Sequence, residues 1–438
     1  MNMNRRAFLQ SVAAGLTLGA VGCGDSQKTS RGTGQTPATD YFGRIAADLD
    51  AAGIGTPRIF VDLDRLDENA AEILSKVGSD RYRIVEKSLP SLDLLAYVQE
   101  RTGSNKFMVL HLPFLPAILA AFPNADVLIG KAQPTAAVES LFDGLSRAEW
   151  PSVASRVQFI ADSRSRLDEL AALARRLRLT LRVSVEIDVG LRRSGVTEPE
   201  ELPEVLAGFL ANPDTVRFTG FLGYDGHVAH VPVLWGAALD WVWAAWEEAT
   251  ARFESFIHVL RSQFPQLVGD DLVFNSGGSA SYPMYQSGPV NDVAIGGGVL
   301  RPAAYPDVFC GVLQPAIFIA TPVLKQYPTG MLPFLTAEQS ARVLQYKQGI
   351  AIYGGGWAAN FVSPAGLEMA PLVSDPENQN LVPNQSLVTA PQDVILNPGD
   401  WVFLHPKQSD ALFQFEEILL VRGGRLQKDK WKAYPRRY

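Results

Sequence analysis

Cysteine is scarce in this sequence of 438 residues, which contains only Cys23 and Cys310. Cys23 lies in an N-terminal segment that we expect to be a leader, so one cysteine remains in the body of the chain. One cysteine can form no intrachain disulfide and cannot build a cysteine-rich zinc site. The sequence therefore excludes a disulfide-stabilised fold and a zinc fold based on cysteine.

The sequence also lacks a cluster of basic residues. Lysine and arginine number 39 against 46 aspartates and glutamates, which gives a net charge of −7. A nucleic-acid-binding surface usually needs clustered basic residues, and this sequence has no such cluster. We therefore predict no nucleic-acid partner. With 47% hydrophobic and 19% charged residues, the chain is predicted to be a soluble globular protein. Its length predicts a large core and two domains.

The N-terminal apolar segment is shorter than the roughly 20 residues that a membrane-spanning helix needs. Arg5 and Arg6 precede it, and residues 1–23 resemble a twin-arginine export signal. The residues up to Cys23 resemble a bacterial lipobox, which predicts a lipid anchor at Cys23. Residues 24–40 are small and polar and are predicted to form a flexible tether. The predicted location is periplasmic or membrane-anchored by lipid.

From residue 57 to residue 301, short apolar runs alternate with amphipathic stretches. A strand over Arg58–Leu63 and a helix capped by Asp64 come first. Eight runs follow, most of them with a helical pattern behind them, and this order is typical of an α/β fold of the (β/α)₈ TIM-type barrel. A doubly wound open sheet is the alternative, but no G-x-G-x-x-G follows the first strand. The eight runs are Tyr82–Glu86, Lys106–Leu110, Asp126–Ile129, Val157–Ile160, Leu181–Ile187, Val216–Tyr224, Leu272–Asn275 and Asp292–Ile295.

Residues 302–438 show a different pattern, in which apolar runs are separated by proline and glycine turns. This pattern predicts a C-terminal, mostly-β domain. Its predicted strands are Gln314–Leu324, Gly349–Tyr353, Asp393–Leu396, Trp401–Leu404 and Glu417–Val421.

Side chains that follow the strands of such a barrel are the candidates for chemistry. Lys87 comes directly after the first run, where a lysine must reach water or lie in a cleft. A desolvated amine there can form an imine with a carbonyl or with pyridoxal phosphate. Lys131 follows the third run and is a rival by position alone.

Two glycine-rich loops follow the seventh and eighth runs. Gly277, Gly278 and Ser279 form the first loop, and residues 296–298 are three consecutive glycines. Without Cβ atoms, the backbone N–H groups of such loops can converge on an anion. The loops after strands seven and eight are the usual phosphate site of this barrel.

Three motifs together resemble one enzyme family. They are the strand-five segment Val185–Gly190 with Arg193 and Gly195, then Tyr224-Asp225-Gly226-His227, then Gly277-Gly278-Ser279. The chain resembles the D-serine dehydratase and D-threonine aldolase family, which are fold-type III pyridoxal phosphate enzymes with an alanine racemase-like barrel. The match runs in order from about residue 57 to residue 298 and continues more weakly into the β domain.

The resemblance implies roles for individual residues. Lys87 corresponds to the Schiff-base lysine, Arg193 lies beside the cofactor ring, and Tyr224 belongs to the ring pocket. His227 is either a residue of the cofactor site or an ordinary strand-end histidine, and both readings stay open. Asp188 is expected to orient its neighbours. The phosphate cup is implied to be Gly277, Gly278 and Ser279.

The family's metal motif is altered. Members carry Pro-x-His-x-Cys or Pro-x-His-x-Asp near the C-terminus, and this motif holds a divalent metal. Here Gln408 stands where the histidine is expected, although Asp410 is retained. An amide oxygen is a poor replacement for imidazole at a transition-metal site, and His405 is the one nearby substitute. We therefore predict no metal-ligating residues and no tightly bound metal.

The resemblance implies an exported, pyridoxal-phosphate-dependent lyase, a dehydratase or an aldolase, that acts on a β-hydroxy D-amino acid. The alternative enzyme is an amino-acid racemase, because racemisation needs proton transfer at Cα and no metal. The alternative that is not an enzyme is a lipoprotein that binds pyridoxal phosphate without catalysing a reaction. Related barrels dimerise, so the resemblance also implies a homodimer.

Overall fold

The computed structural model describes residues 37–231, 237–305, 310–327, 332, 335–345, 347–370 and 384–434. The predicted export signal, Cys23 and residues 24–36 of the predicted tether lie outside the described residues. The last part of the tether prediction is wrong, because helix α1 (Pro37–Ala51) begins within it. Its buried Phe42, Ile45 and Leu49 give it an apolar face at intervals of three and four residues, as in an amphipathic helix.

Eight parallel strands form a closed barrel, and each of them overlaps one of the predicted runs. Pairing of Tyr82 with Val293 closes the barrel between its first and last strands. The predicted barrel is therefore confirmed. Its strands are β2 (Tyr82–Val85), β3 (Lys106–Val109), β4 (Asp126–Ile129), β5 (Val157–Ala161), β6 (Leu181–Glu186), β7 (Val216–Gly223), β8 (Val273–Ser276) and β9 (Asp292–Ile295).

Helices connect most of the successive barrel strands and cover the outside of the barrel, whereas only a short 3₁₀ turn, Tyr282–Met284, lies between β8 and β9. Helix α2, which precedes β2, begins directly after Asp62. The Asp62 carboxylate caps it by accepting the N–H groups of Asp64 and Arg65 at 3.1 and 3.2 Å. The prediction that Asp64 caps the helix is thus wrong. The preceding strand ends at Asp62, and the Asp62 carboxylate accepts the otherwise unpaired N–H groups of the first helical turn. The helices are α2 (Leu63–Val77), α3 (Leu92–Thr102), α4 (Leu115–Ala121), α5 (Thr135–Asp143), α6 (Trp150–Arg156), α7 (Arg164–Leu177), α8 (Leu202–Ala211) and α9 (Ala238–Gln263).

A second, nine-stranded sheet forms the β domain, as predicted. Strand β1 (Arg58–Asp62) belongs to this sheet, where it pairs antiparallel with β10 and parallel with β16. The predicted strand Asp393–Leu396 is wrong, because these residues form a turn and an extended loop. The remaining elements are β10 (Ile317–Tyr327), α10 (Ala337–Val343), β11 (Gln348–Tyr353), β12 (Ala359–Ser363), β13 (Glu368–Met369), β14 (Gln385–Ala390), β15 (Trp401–Pro406), β16 (Glu417–Arg422) and β17 (Arg425–Lys432).

Across the part of the chain that is described, none of the helices has the length and apolar character needed to span a membrane.

Candidate active site

A cavity of about 410 Å³ opens at the carboxyl ends of the barrel strands. Six of the seven predicted site residues line it: Lys87, Arg193, Tyr224, Gly277, Gly278 and Ser279. They come from loops that are far apart in sequence. The barrel brings them together because all eight strands end on the same side.

Lys87 reaches the cavity from a single 3₁₀ turn, Glu86–Ser88, that follows β2. Its neighbours Glu86 and Ser88 are buried, whereas Lys87 is exposed to the cavity. The turn therefore fixes the backbone while the amine stays free to react. After β4 it is Gly130 that lines the cavity, and Lys131 does not. Position in the fold favours Lys87 over its rival.

Arg193 and Tyr224 follow neighbouring strands, β6 and β7. The guanidinium carbon of Arg193 lies 5.0 Å from the centre of the Tyr224 ring, within range for a cation–π contact. The loop that carries Arg193 is held by Asp188, whose Oδ1 accepts the N–H groups of Gly190 and Arg192 at 2.8 and 3.0 Å. The cavity wall thus presents a cation and an aromatic ring in a fixed arrangement.

The two predicted glycine loops meet at the cavity wall. The N–H of Gly298 donates to Oγ of Ser279 at 2.9 Å. Gly277 has φ +82°, and a Cβ there would lie 2.8 Å from the Val293 side chain, so this position requires glycine. Within the described residues, no hydrogen bond takes up the N–H groups of Gly278 and Ser279. This wall therefore offers unpaired backbone donors, which suit an anion.

His227 does not line the cavity. Both its ring nitrogens are buried and have no hydrogen-bond partner among the described residues. Nearby, the Asp225 carboxylate is fully buried and accepts the Tyr285 hydroxyl at 2.8 Å, and burial raises the pKa of Asp225. The imidazole that lines the cavity belongs to His230, on the short turn Val228–His230.

Sequence reasoning missed four other polar residues of the cavity wall: Ser88, Asn275, His230 and Tyr305. Asn275 is the third residue of β8, and its side chain donates to Asp292 at 2.6 Å. Asn275 ends the predicted seventh run, so a search for every polar residue at a strand end finds it. Tyr305 lies beyond the eighth strand, and only the folded chain shows that its ring returns to the cavity.

The altered metal motif also faces the cavity, since Gln408 and Asp410 both line it. His405 does not, because its Nε2 is 2.8 Å from the carbonyl oxygen of Arg301 and its ring packs beside Phe318. His405 therefore does not take the place of the missing histidine in the cavity. No group of three His, Cys, Asp or Glu side chains in the described ranges is arranged to hold a metal. These donors do not fit the family's metal.

Residues 61–284 match the family described as "Alanine racemase, N-terminal domain". A 3-hydroxy-D-aspartate aldolase from Paracoccus denitrificans (strain Pd 1222) is 24% identical over 291 residues, which cover 63% of this chain and 70% of the relative. A D-threonine aldolase from Filomicrobium marinum superposes with a TM-score of 0.67 at 18% identity, covering 87% of this chain and 95% of that structure. D-threo-3-hydroxyaspartate dehydratase from Delftia sp. HT23 gives 0.64 at 18% identity, with 87% and 98% covered.

The two structural matches agree with the observed architecture of a barrel followed by a β domain. At these identities they show the fold alone. The family match, by contrast, extends over just over half of the chain and includes every predicted motif of the barrel except the last glycine loop. The chain therefore belongs to the alanine racemase N-terminal domain family, as its strand-end motifs predict.

Proposed function

We propose that this chain is a pyridoxal-phosphate-dependent lyase, an aldolase or a dehydratase, that acts on a β-hydroxy D-amino acid. One observation carries the proposal: Lys87 shares a single cavity with the unpaired backbone donors of Gly278 and Ser279. We call the Gly278 and Ser279 N–H groups the anion cup. An amine and an anion cup in one cavity suit a small aldehyde that bears a phosphate. The names of the relatives, two aldolases and a dehydratase of β-hydroxy D-amino acids, support the reaction class.

The residues present fit this cofactor. A cavity of about 410 Å³ lies within the usual range for small-molecule sites. Lys87 would hold the cofactor covalently, the Gly278 and Ser279 N–H groups would hold its phosphate, and Arg193 and Tyr224 would flank its ring. When bound, the cofactor supplies an electron sink for negative charge that develops at Cα.

The protein's own part in the reaction is proton transfer and positioning. The Lys87 amine, once free, is placed to hold the proton that leaves or returns to Cα. His230 is the imidazole on the same cavity wall, and an imidazole can take or give a proton near neutral pH. In an aldol cleavage its ring would accept the proton of the β-hydroxyl group. In a dehydration it would donate a proton to the departing hydroxyl.

The test is a visible spectrum of the purified protein followed by assays with β-hydroxy D-amino acids. An aldehyde with glycine identifies an aldolase, and a keto acid with ammonia identifies a dehydratase. Exchange of the Cα hydrogen with deuterated solvent, with inversion and without either product, would instead favour the racemase. A bound cofactor with no product from any substrate would favour the non-catalytic binding protein.

The anion cup can be tested with Gly278→Val. A Cβ at this position would lie 3.6 Å from the Tyr224 ring, an ordinary contact, so the chain should still fold. The two methyl groups should cover the backbone donors, and losing a hydrogen bond to a charged group costs about 1.5–3 kcal/mol. We expect cofactor affinity, measured by equilibrium dialysis, to fall about 10- to 100-fold.

Gly55→Val is the matched control for the cup. Gly55 lies in the loop before β1, and a Cβ there would meet nothing within 4 Å. Its cofactor affinity should equal that of the wild type. Unchanged affinity in Gly278→Val would show that the phosphate binds elsewhere.

The altered metal motif predicts activity that survives a chelator. A catalytic metal usually needs about three protein ligands, and of the motif only Asp410 offers a carboxylate to the cavity. Gln408→His should restore an imidazole and raise zinc affinity by at least about tenfold. Gln414→His places the same group at the far end of the 3₁₀ segment that follows Gln408, outside the cavity, so the zinc affinity should not change. Stoichiometric metal in the wild-type protein, with activity lost on chelation, would contradict this prediction.

We also propose export by the twin-arginine route, which rests on the sequence alone. Changing Arg5 and Arg6 together to lysine should trap the precursor in the cytoplasm, because that route requires the arginine pair. Cell fractionation and immunoblotting measure this. Normal amounts of protein outside the cytoplasm in the double variant would rule the route out.

A further inference from the structure

Asp410 is a carboxylate that faces the cavity without a partner. It lies with Gln408 at the start of the 3₁₀ segment that follows β15, and both side chains are exposed. No side-chain hydrogen bond or ion pair within the described ranges includes the Asp410 carboxylate. The β domain thus contributes one unpaired negative charge and one amide to a cavity whose other walls come from the barrel.

The positive charges on the barrel side already have roles under the proposed function. Lys87 and Arg193 are the lysine and the arginine that line the described cavity, and both are assigned to the cofactor. His230 is the remaining titratable base on the wall, and it is assigned to the β-hydroxyl group. In the described part of the cavity, no permanent cation is left to receive a second carboxylate of a substrate.

From this charge distribution we propose that Asp410 and Gln408 select D-amino acids with a cationic or hydrogen-bond-donating side chain and disfavour dicarboxylates. The proposal rests on the proposed function, because it concerns the substrate of the same site. A carboxylate attracts an ammonium or guanidinium group and repels another carboxylate. The Gln408 amide can both donate and accept a hydrogen bond, so it tolerates a cation and also binds a neutral polar group. The preference would differ from the 3-hydroxy-D-aspartate named for a relative.

The experiment measures binding and does not depend on turnover. Cofactor-loaded protein is titrated with D-2,4-diaminobutyrate, D-2-aminobutyrate, D-asparagine and D-aspartate, and the cofactor absorbance reports binding. D-asparagine and D-aspartate have nearly the same shape and differ in charge. We expect D-2,4-diaminobutyrate to bind at least about tenfold more tightly than D-aspartate, since attraction and repulsion act in the same direction. The preference should weaken as salt increases.

Asp410→Asn removes the charge and keeps the size of the side chain. In this variant the ratio of the two dissociation constants should fall to within about twofold, while D-2-aminobutyrate binds as in the wild type. Asp429→Asn removes the same charge from exposed β17, outside the cavity, and should keep the wild-type ratio. The cofactor spectrum of each variant shows that its site is intact.

The outcomes separate this proposal from the proposed function. Equal or tighter binding of D-aspartate in the wild type overturns the selectivity proposal alone, and so does an unchanged ratio in Asp410→Asn. If the protein takes up no cofactor, or if no amino acid changes the cofactor spectrum, both proposals fail together.

Discussion

Lys87→Ala should abolish turnover while the barrel stays folded. The side chain is exposed to the cavity and packs against no core, so its removal leaves no void. The variant would lose both the covalent attachment of the cofactor and the amine at Cα, and proton transfer alone typically contributes about 10²–10⁴-fold to rate. We expect kcat/KM to fall by at least about 10³-fold, with the unfolding midpoint of the cofactor-free protein unchanged. Steady-state kinetics and thermal unfolding measure the two effects.

Lys131→Ala is the matched control, because Lys131 follows a neighbouring strand and does not line the cavity. It should retain wild-type turnover. Borohydride reduction of the wild-type protein should fix the cofactor on the peptide that contains Lys87, as peptide mass spectrometry would show. Attachment at Lys131 would reverse the assignment.

The barrel was predictable because its strands are short apolar runs that recur along the chain and alternate with amphipathic stretches. Most of the runs are followed by a helical pattern, so local signals define both the strand and the element next to it. The position of Lys87 followed from the same signals. A residue just after a barrel strand lies at the mouth whatever the details of packing.

The β domain was less predictable because its pairings join distant segments. Strand β1 lies within residues 57–301, the range predicted for the barrel, yet it completes the second sheet between β10 and β16. Conversely, Asp393–Leu396 is apolar enough for a strand but leads into a tight turn at residues 397–400. Hydrogen bonds between segments that are distant in sequence decide whether such a segment becomes a strand and which sheet it joins. A local sequence pattern carries no information about these partners.

Within the site, residue spacing alone could not distinguish His227 from His230. Both follow β7, and the familiar motif draws attention to the first. The chain turns after Asp225, so His227 points into the protein and His230 into the cavity. The conformation of this single turn decides which imidazole can meet a substrate.

Arg83 lies inside the barrel below the cavity and is entirely buried. Its guanidinium donates to Asp292 at 2.7 and 2.9 Å and to Asp126 at 2.8 Å. It also donates to the carbonyl oxygens of Phe107 and Asp126, each at 3.0 Å. All its polar atoms are thus satisfied. Asp292, which is equally buried, pairs with Arg83 and, at 3.3 Å, with the Lys106 ammonium. The same Asp292 holds Asn275 of the cavity wall.

Arg83→Met should therefore destabilise the protein strongly. A methionine fills similar space, but it leaves Asp292 buried without its guanidinium partner, and breaking a buried ion pair typically costs about 3–5 kcal/mol. We expect a loss of that size in the free energy of unfolding, measured by denaturant titration. Arg217→Met is the control, because Arg217 pairs with Asp271 at the surface and such pairs contribute under about 1 kcal/mol. Adding Asp292→Asn to Arg83→Met should recover part of the loss, since it removes a buried charge that keeps only the Lys106 ammonium as a cationic partner.

The cost of Arg83→Met should also depend on pH. Burial alone would raise the pKa of Asp126, but Arg83 and Arg182 outweigh it and hold that pKa below its ordinary value. A carboxylate with a lowered folded-state pKa stabilises the protein above its unfolded pKa, and this contribution disappears as pH falls through the folded value. The difference between wild type and Arg83→Met should therefore be largest near neutral pH and shrink below about pH 4. A difference that stays constant from pH 7 to pH 3 would show that Arg83 acts through packing and not through its charge.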